Sequence, residues 1–332
     1  MAYTTIDNPE DYFITHNYSG NDTTNNQTSL GMTPDLVWVK SRNTGSPTQH
    51  YIVDKVRGDE EYIISNSTAA EATDSNTFAL VSGGFNLDGG NGWTNLTGRT
   101  YVAWNWKESA TAGFDIVSYT GNGTDDTDIS HNLSAVPHLI IVKNRDATDD
   151  WQVYHHKNTA APETDYLVLN TTAATADAAD RWSDEAPTSS VFTLGDGDEV
   201  NTDTEDYIAY CFTGKQGYSK FGSYTGNGNA DGTFVYTGFR PAFVMTKYTS
   251  PGGGVGDWNM YDNKRKGYND ENDYLAANTT SAENSSDNQV DLLSNGFKWR
   301  ATDSDTNEDG STYVYMAFAE APLVNSNGVP CN

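Results

Sequence analysis

The segment Tyr101-Val-Ala-Trp-Asn-Trp106 recurs as Tyr207-Ile-Ala-Tyr-Cys-Phe212 and again as Tyr313-Val-Tyr-Met-Ala-Phe318, at equal separations (207 − 101 = 313 − 207 = 106). In a β-strand, alternate side chains point to opposite faces. The second, fourth and sixth residues of all three copies are apolar, whereas the other face is mixed. This alternation predicts an antiparallel strand with its apolar face in a core and its other face partly open to solvent. We call these three segments the closing strands.

Other landmarks precede each closing strand in the same order. They are a Tyr-Ser/Thr-Gly-Asn motif, a proline six residues before a lysine, and an Asn-Ser/Thr-Thr-Ala/Ser-Ala segment; the copies begin at Tyr18, Tyr119 and Tyr224, at Pro34, Pro137 and Pro241, and at Asn66, Asn170 and Asn278. The order predicts three homologous repeats, 10–112, 113–217 and 218–324, with an N-terminal leader 1–9 and a C-terminal tail 325–332. Each repeat has the usual size of a domain, so we expect three linked domains.

The local patterns favour β-structure throughout. The run after each proline, such as Leu139-Ile-Ile-Val142, is continuously apolar, which predicts a strand in the middle of a sheet. Glycine and asparagine turn formers follow at short intervals, and no helical periodicity is sustained. We therefore predict an all-β fold of three tandem β-sandwiches, with the Asn-Thr-Thr-Ala-Ala segments as loops. Jelly-roll and other Greek-key orders stay open, because strand order leaves no local mark on a sequence.

Charge and composition exclude several classes of partner. The chain has 46 acidic and 19 basic residues and a net charge of −27, which repels nucleic acid. No long apolar run predicts membrane insertion, and the start of the sequence lacks the pattern of a secretory signal. Cys211 and Cys331 have no counterparts in the other repeats, so neither a disulfide framework nor a zinc site is predicted, and their redox state is open.

No catalytic motif stands out, and we expect no enzymatic activity and no cofactor. The carboxylate-rich composition leaves a glycan hydrolase as the alternative, because such enzymes use two Asp or Glu residues. One acidic loop, Asp305-x-Asn307-x-Asp309-Gly310, resembles the opening half of a calcium loop. Met316 occupies the position of the bidentate glutamate, however, which favours a solvated acidic turn over a bound ion.

Two further sets of residues recur or stand apart. Lys40, Lys143 and Lys247 end the runs that follow the prolines, and we expect each to pair with an acid of its own repeat, such as Asp54 or Asp262. Most aromatic residues belong to the predicted cores. Three tryptophans in the loop-rich later halves of the repeats are candidates for exposed rings that stack on sugars: Trp93, Trp182 and Trp299.

The motifs together resemble a family. Pro34-Asp-Leu-Val-Trp-Val-Lys40, Asp54-Lys-Val-Arg-Gly58, Tyr62-Ile-Ile-Ser-Asn-Ser-Thr-Ala-Ala-Glu71 and Ala317-Phe-Ala-Glu-Ala-Pro322 are similar to a repeated domain of unknown function in virion structural proteins of tailed, often marine, phages. The second and third repeats depart from it, since His155-His-Lys157 and Asp262-Asn-Lys-Arg265 replace Asp54-x-x-Arg57-Gly58. These departures leave a shared ligand site in doubt.

The resemblance implies a virion structural protein, assembled in the host cytoplasm and exposed on the particle exterior, with other virion proteins as partners. We expect a tail fibre or appendage component that forms a homo-oligomer, with a trimer favoured, because symmetry gives extended appendages stability and avidity. Host surface glycans are the expected ligands at a tail tip. A capsid decoration or head fibre protein is the alternative placement, and a polysaccharide-degrading tailspike is the alternative of a different class.

Overall fold

The closing strands each lie between two antiparallel neighbours. The computed structural model describes residues 3–43, 48–74, 78–250, 256–269, 273–286 and 289–331, and nearly all regular structure in these residues is β. The strands of the first repeat are β1 (Phe13–Ser19), β2 (Asn25–Gln27), β3 (Leu36–Ser41), β4 (Tyr51–Asp54), β5 (Glu61–Ile64), β6 (Ala72–Thr73), β7 (Phe78–Val81), β8 (Gly84–Leu87) and β9 (Thr100–Trp106).

Within the described residues, the α-helices lie in the second repeat, together with eight strands. Its strands are β10 (Phe114–Thr120), β11 (Thr127–Ser130), β12 (Leu139–Asn144), β13 (Gln152–His155), β14 (Asp165–Val168), β15 (Ala176–Asp177), β16 (Val191–Leu194) and β17 (Asp206–Phe212). Two one-turn helices, α1 (Ala179–Trp182) and α2 (Asp198–Asn201), lie beside them. Short 3₁₀ turns cover Pro162–Thr164 and, where the leader meets the first repeat, Pro9–Asp11. No helix in the described ranges is long and apolar enough to cross a membrane.

The third repeat contains β18 (Ser219–Thr225), β19 (Phe234–Tyr236), β20 (Phe239–Tyr248), β21 (Asn259–Asp262), β22 (Leu275–Ala276), β23 (Val290–Leu293), β24 (Gly296–Trp299) and β25 (Thr312–Pro322). The closing strands are thus β9, β17 and β25.

Among the described residues, the large sheets of the three repeats share the order of their first five strands, and the small sheets of the first and third repeats share theirs. The large sheets run β1-β9-β3-β4-β5-β6, β10-β17-β12-β13-β14-β15 and β18-β25-β20-β21-β22. The small sheets are β2-β8-β7, β11-β16 and β19-β24-β23. A separate apolar cluster lies between the two sheets of each repeat, as between Val37 and Phe85 in the first. The predicted all-β class is confirmed, and so is the central, fully buried position of the strands that follow the prolines, β3 and β12.

Both faces of the closing strands are buried, which corrects the prediction of a half-exposed strand. The mixed face, which includes Tyr101 and Ala103, lies in the sandwich of its own repeat. The apolar face of Val102, Trp104 and Trp106 lies in a larger cluster to which all three repeats contribute. We call this cluster the shared core. The sequence pattern located an apolar face correctly, but that face packs against other repeats rather than inside its own sandwich.

The repeats close into a ring around the shared core. The indole N–H of Trp151 in the second repeat donates to the carbonyl of Ile64 in the first, at 3.0 Å. Trp258 of the third repeat donates in the same way to Val168 of the second, at 2.9 Å. His50 of the first repeat completes the cycle, with its Nε2 2.9 Å from the carbonyl of Ala276 in the third. The three repeats therefore pack around one common core instead of forming separate linked units, and their boundaries stay a prediction from the sequence.

The leader takes part in the ring. The side chain of Ile6 is buried in the shared core, and the Tyr3 hydroxyl donates to the carbonyl of Gly238, at 2.7 Å. Asp7 accepts hydrogen bonds from Ser326. Residues 3–7 and the start of the tail thus lie together against the third repeat.

Candidate functional site at the junctions between repeats

Buried ion pairs join the first repeat to the second. Asp54 ends β4, and the chain then turns so that Arg57 reaches back to its carboxylate, with Nε 2.6 Å from Oδ2. Both side chains are fully buried. From the second repeat, the Tyr210 hydroxyl donates to the same carboxylate at 2.7 Å. Glu71 lies between Arg57, at 3.2 Å, and Arg145 of the second repeat, at 2.7 Å, so one chain of charges crosses the junction.

The junction between the third repeat and the first has the same construction. Arg265 Nε lies 2.7 Å from Asp262 Oδ2, and the indole N–H of Trp104 in the first repeat donates to that oxygen at 3.0 Å. Glu283 bridges Arg265, at 3.2 Å, and Arg42 of the first repeat, at 2.9 Å. The two junctions therefore use an Asp, two Arg and a Glu at equivalent positions, with an aromatic donor from the next closing strand.

The junction between the second and third repeats replaces every one of these groups. His155 and Asn158 occupy the positions of the aspartate and the first arginine, and Thr175 occupies that of the glutamate. Thr249 and Met316 stand where the other junctions have the second arginine and the aromatic donor. The exchange is coordinated, because a neutral residue stands at each charged position and no buried charge is left without its partner.

Hydrogen bonds of histidine hold this third junction. His155 Nε2 lies 3.1 Å from the Tyr315 carbonyl, and His156 Nε2 lies 2.9 Å from the Phe221 carbonyl. The rings of His138 and His156 stack at 4.0 Å. Burial, with neighbouring positive groups adding to it, lowers the pKa of His155 to about 3 and that of His138 to about 4. The cluster is therefore neutral at pH 7.

The recurring lysines do not pair with Asp54 or Asp262, so that prediction is wrong. All three are buried and donate to backbone carbonyls: Lys40 to Thr48, Lys143 to Thr68 and Lys247 to Gly256. Lys143 thereby reaches from the second repeat into a loop of the first. Burial lowers the pKa of Lys40 and Lys247 to about 7 and that of Lys143 to about 8. Asp54 and Asp262 pair instead with Arg57 and Arg265, each three residues after its aspartate. The position of a lysine at the end of a strand does not predict these pairs.

The Asn-Thr-Thr-Ala-Ala segments are loops, as predicted, and their asparagines have one role in all repeats. The side-chain oxygens of Asn66, Asn170 and Asn278 accept the backbone N–H of His50, Trp151 and Trp258, at 2.8, 2.8 and 2.9 Å. These three acceptors hold the residues whose side chains cross the junctions. The repetition of the asparagine is thus explained by ring closure.

Asn307 of the acidic loop 305–310, the candidate for calcium, makes structural hydrogen bonds. Its Oδ1 accepts the backbone N–H of Asn227 at 3.1 Å, and its Nδ2 donates to the carbonyls of Asn229 and Ala301. Asn201 makes the same set of bonds in the second repeat, where no Asp-x-Asn-x-Asp pattern exists. Asp309 is exposed and Asp305 is half-buried. Within the described residues, no three His, Cys, Asp or Glu side chains are grouped to hold a metal ion.

The predicted sugar-stacking tryptophans do not present open rings. Trp182 lies in the sandwich core of the second repeat and Trp299 in that of the third, both fully buried, which corrects the expectation that they are exposed. Trp93 is half-buried and packs edge-on against Tyr62. Trp182 ends the one-turn helix α1 and Trp299 ends β24 of the small sheet, and their large rings fill the sandwich cores.

The exposed aromatic side chains are others, which the sequence reasoning missed. Of the described Phe, Tyr and Trp residues, the largely exposed ones are Phe234, Tyr236 and Tyr268, and all three belong to the third repeat. Two lie under a cation: Lys220 over the ring of Tyr236 and Arg240 over that of Tyr268, each at 5.4 Å. The sequence feature that could have indicated them is Phe-Val-Tyr at 234–236, because the equivalent strands of the other repeats, β2 and β11, are mostly polar.

The fold and the junctions define an all-β protein in which three equivalent sets of sheets close around one core. The chain belongs to the family described as Domain of unknown function (DUF7483), whose model matches residues 8–322 and so runs through all three repeats. No curated protein and no solved structure matches the chain.

Proposed function

We propose that the protein is a structural component of a phage virion, an exposed fibre or appendage part that contacts host surface glycans. The observation that carries the proposal is that the repeats share their junction contacts but differ in their exposed side chains. Ring closure uses the same contacts three times, whereas exposed aromatic rings occur in the third repeat alone among the described residues. An adhesion module on a particle needs a stable scaffold and one binding surface. The ring contacts supply the scaffold, and the exposed aromatic residues of the third repeat supply the surface.

The physical properties of the ring support a role outside the cell. Two of the three junctions contain buried arginine–carboxylate pairs, and the shared core holds side chains from every repeat. The shared core and the pairs Glu71–Arg145 and Glu283–Arg42 join segments far apart in sequence, and we expect them to slow unfolding. The net charge of −27 favours solubility and opposes non-specific attachment to other anionic surfaces.

Mass spectrometry of purified particles tests the virion assignment. We expect peptides of this chain at structural-protein abundance after density-gradient purification, and their absence from the particles would overturn the proposal. Antibody labelling in electron microscopy then locates it. Label at the tail supports the fibre or appendage role, and label confined to the head would replace it with capsid decoration.

The predicted homotrimer is tested by the mass in solution. One chain has a mass of 36.2 kDa, so a trimer would have 3 × 36.2 = 108.6 kDa. Because the ring already buries its apolar strand faces within one chain, we propose that trimer formation, where it occurs, uses the outer surfaces. Light scattering coupled to gel filtration separates the two masses, and variants that weaken the ring junctions are expected to leave the number of chains unchanged.

A further inference from the structure

A groove on the third repeat lies beside the neutral junction. Its lining includes Lys157 of the second repeat and five residues from the third: Lys220, Gly222, Phe234, Tyr236 and Tyr315. We call it the third-repeat groove. It lies over the face of β18 and β19, the first strand of the large sheet and the first strand of the small sheet of that repeat.

An exchange of large and small residues shapes the floor of this groove. Gly222 pairs with Tyr315 across β18 and β25, whereas the equivalent pairs are His16 with Ala103 and Val117 with Ala209. The large residue has thus moved to the closing strand in this repeat. A Cβ on residue 222 would lie 2.7 Å from the Tyr315 hydroxyl, so the glycine provides the space that this hydroxyl occupies.

The Tyr315 hydroxyl lies beside Gly222 at the floor of the groove. The residue is only 3% exposed, yet it belongs to the groove lining. Its hydroxyl has no hydrogen-bond partner in the part of the chain that the structure describes, although its backbone carbonyl accepts from His155. A buried hydroxyl normally has a partner, and one that reaches a groove without one offers a hydrogen bond to a ligand.

Aromatic side chains form one wall. Phe234 and Tyr236 are 44% and 47% exposed on β19, with Val235 between them buried in the sandwich. Val235 pairs with Phe297 as Ile129 pairs with Phe192 in the second repeat, so Asp128 and Ser130 are the equivalents of Phe234 and Tyr236. Rings held on a strand offer flat apolar faces at low entropic cost, which suits the C–H face of a pyranose.

The charged groups of the groove are positive. Lys220 lies over the Tyr236 ring and donates to its carbonyl at 2.5 Å, and Lys157 approaches from the second repeat. The described lining contains no Asp or Glu, although acids outnumber bases 46 to 19 in the whole chain. The two lysines are the charged side chains of the described lining, and screening at physiological ionic strength favours such nearby charges over distant ones.

We propose that the third-repeat groove binds a carboxylated sugar unit of a polysaccharide. The sugar ring stacks on Phe234 and Tyr236, a sugar hydroxyl bonds the Tyr315 hydroxyl, and the carboxylate lies near Lys220 and Lys157. The biological meaning of the site rests on the proposed contact with host glycans, whereas the binding chemistry can be measured separately.

Affinity electrophoresis in native gels tests the site, with polygalacturonate as the carboxylated probe and dextran as the neutral one. We expect retardation by polygalacturonate that weakens with added salt, and none by dextran. The double variant F234D/Y236S, which carries the residues of the second repeat, is expected to bind at least about tenfold more weakly. Y268S removes the exposed aromatic outside the groove and is expected to bind like the wild type.

A second variant protects the test against a folding artefact. Y315F removes one hydroxyl and is expected to weaken binding about three- to tenfold with an unchanged melting temperature. Failure of the wild type to bind polygalacturonate, equal retardation by dextran, or unchanged binding by F234D/Y236S would each overturn the proposal. If particles contain the chain but the groove does not bind, only this inference fails; if the groove binds but particles lack the chain, the virion assignment fails.

Discussion

Replacing Arg57 by methionine removes the buried cation at the junction of the first and second repeats. Asp54 keeps the hydrogen bonds from Tyr210 and from the amides of residues 56 and 57, but loses the guanidinium at 2.6 Å. Both side chains are fully buried, so the carboxylate cannot regain its partner from water. Breaking a buried pair from one side costs about 3–5 kcal/mol, and we expect that loss in the free energy of unfolding.

This free energy translates into a melting temperature. An unfolding entropy of about 2.1 cal/mol/K per residue amounts to about 0.7 kcal/mol/K for a chain of this length, so the expected fall is about 4–7 °C. Scanning calorimetry at pH 7, supported by urea unfolding, measures it. The matched control is Asn158→Met, at the equivalent position of the neutral junction, which leaves no charge unpaired and should cost about 1 kcal/mol.

A double variant separates charge burial from lost packing. D54N/R57M removes both charges, and we expect it to be more stable than R57M alone, because no carboxylate is left buried without a cation. The reasoning is refuted if R57M costs no more than the Asn158 control, or if the double variant is the less stable of the two.

Three further outcomes follow from buried polar groups. Burial, with His156 adding to it, lowers the pKa of His155 to about 3, so the unfolded chain binds more protons than the folded chain below about pH 6.5, and stability falls as the pH is lowered. His155→Gln should flatten that fall in thermal melts between about pH 7 and 4.5, and an unchanged slope would contradict the expectation. Burial lowers the pKa of Lys247 to about 7, so this residue should contribute a rise in stability of about 1 kcal/mol per pH unit between about pH 7 and 9. Lys247→Met should reduce the slope in urea titrations by that amount while Lys40 and Lys143 keep their own contributions, and an identical slope in the variant would disprove it. Asn307→Ala should cost about 2–3 kcal/mol, like Asn201→Ala, with EDTA and with calcium alike, whereas a cost seen only with calcium would indicate an ion site.

Much of the fold follows from local periodicity. Alternation in residues 101–106 locates a strand and its apolar face, and the continuous run at 139–142 locates a central strand, because side-chain direction depends only on neighbouring residues. The destination of an apolar face depends on distant residues. Trp104 and Trp106 face other repeats, and nothing within their strand distinguishes that neighbour from a sandwich partner.

The junctions were harder to predict for the same reason. Asp54 and Arg57 are close in sequence, but Tyr210 and Arg145 join them from more than 85 positions away. Pairing with a carboxylate is the usual expectation for an exposed lysine, whereas full burial beside backbone carbonyls selects hydrogen bonding instead. The exposure of Trp182 and Trp299 does not follow from sequence position, because both end short elements, α1 and β24, that direct their rings into the sandwich core.

Closing three similar units within one polypeptide has a genetic consequence. In a ring of three identical chains, a single codon change alters all three interfaces and all three outer faces at once. Here, a change such as histidine at 155 or glycine at 222 alters one junction or one face and leaves the other two as they were. Two copies can thus keep the frame intact while the third accumulates changes, and variation among relatives is expected to concentrate on the surface of that copy.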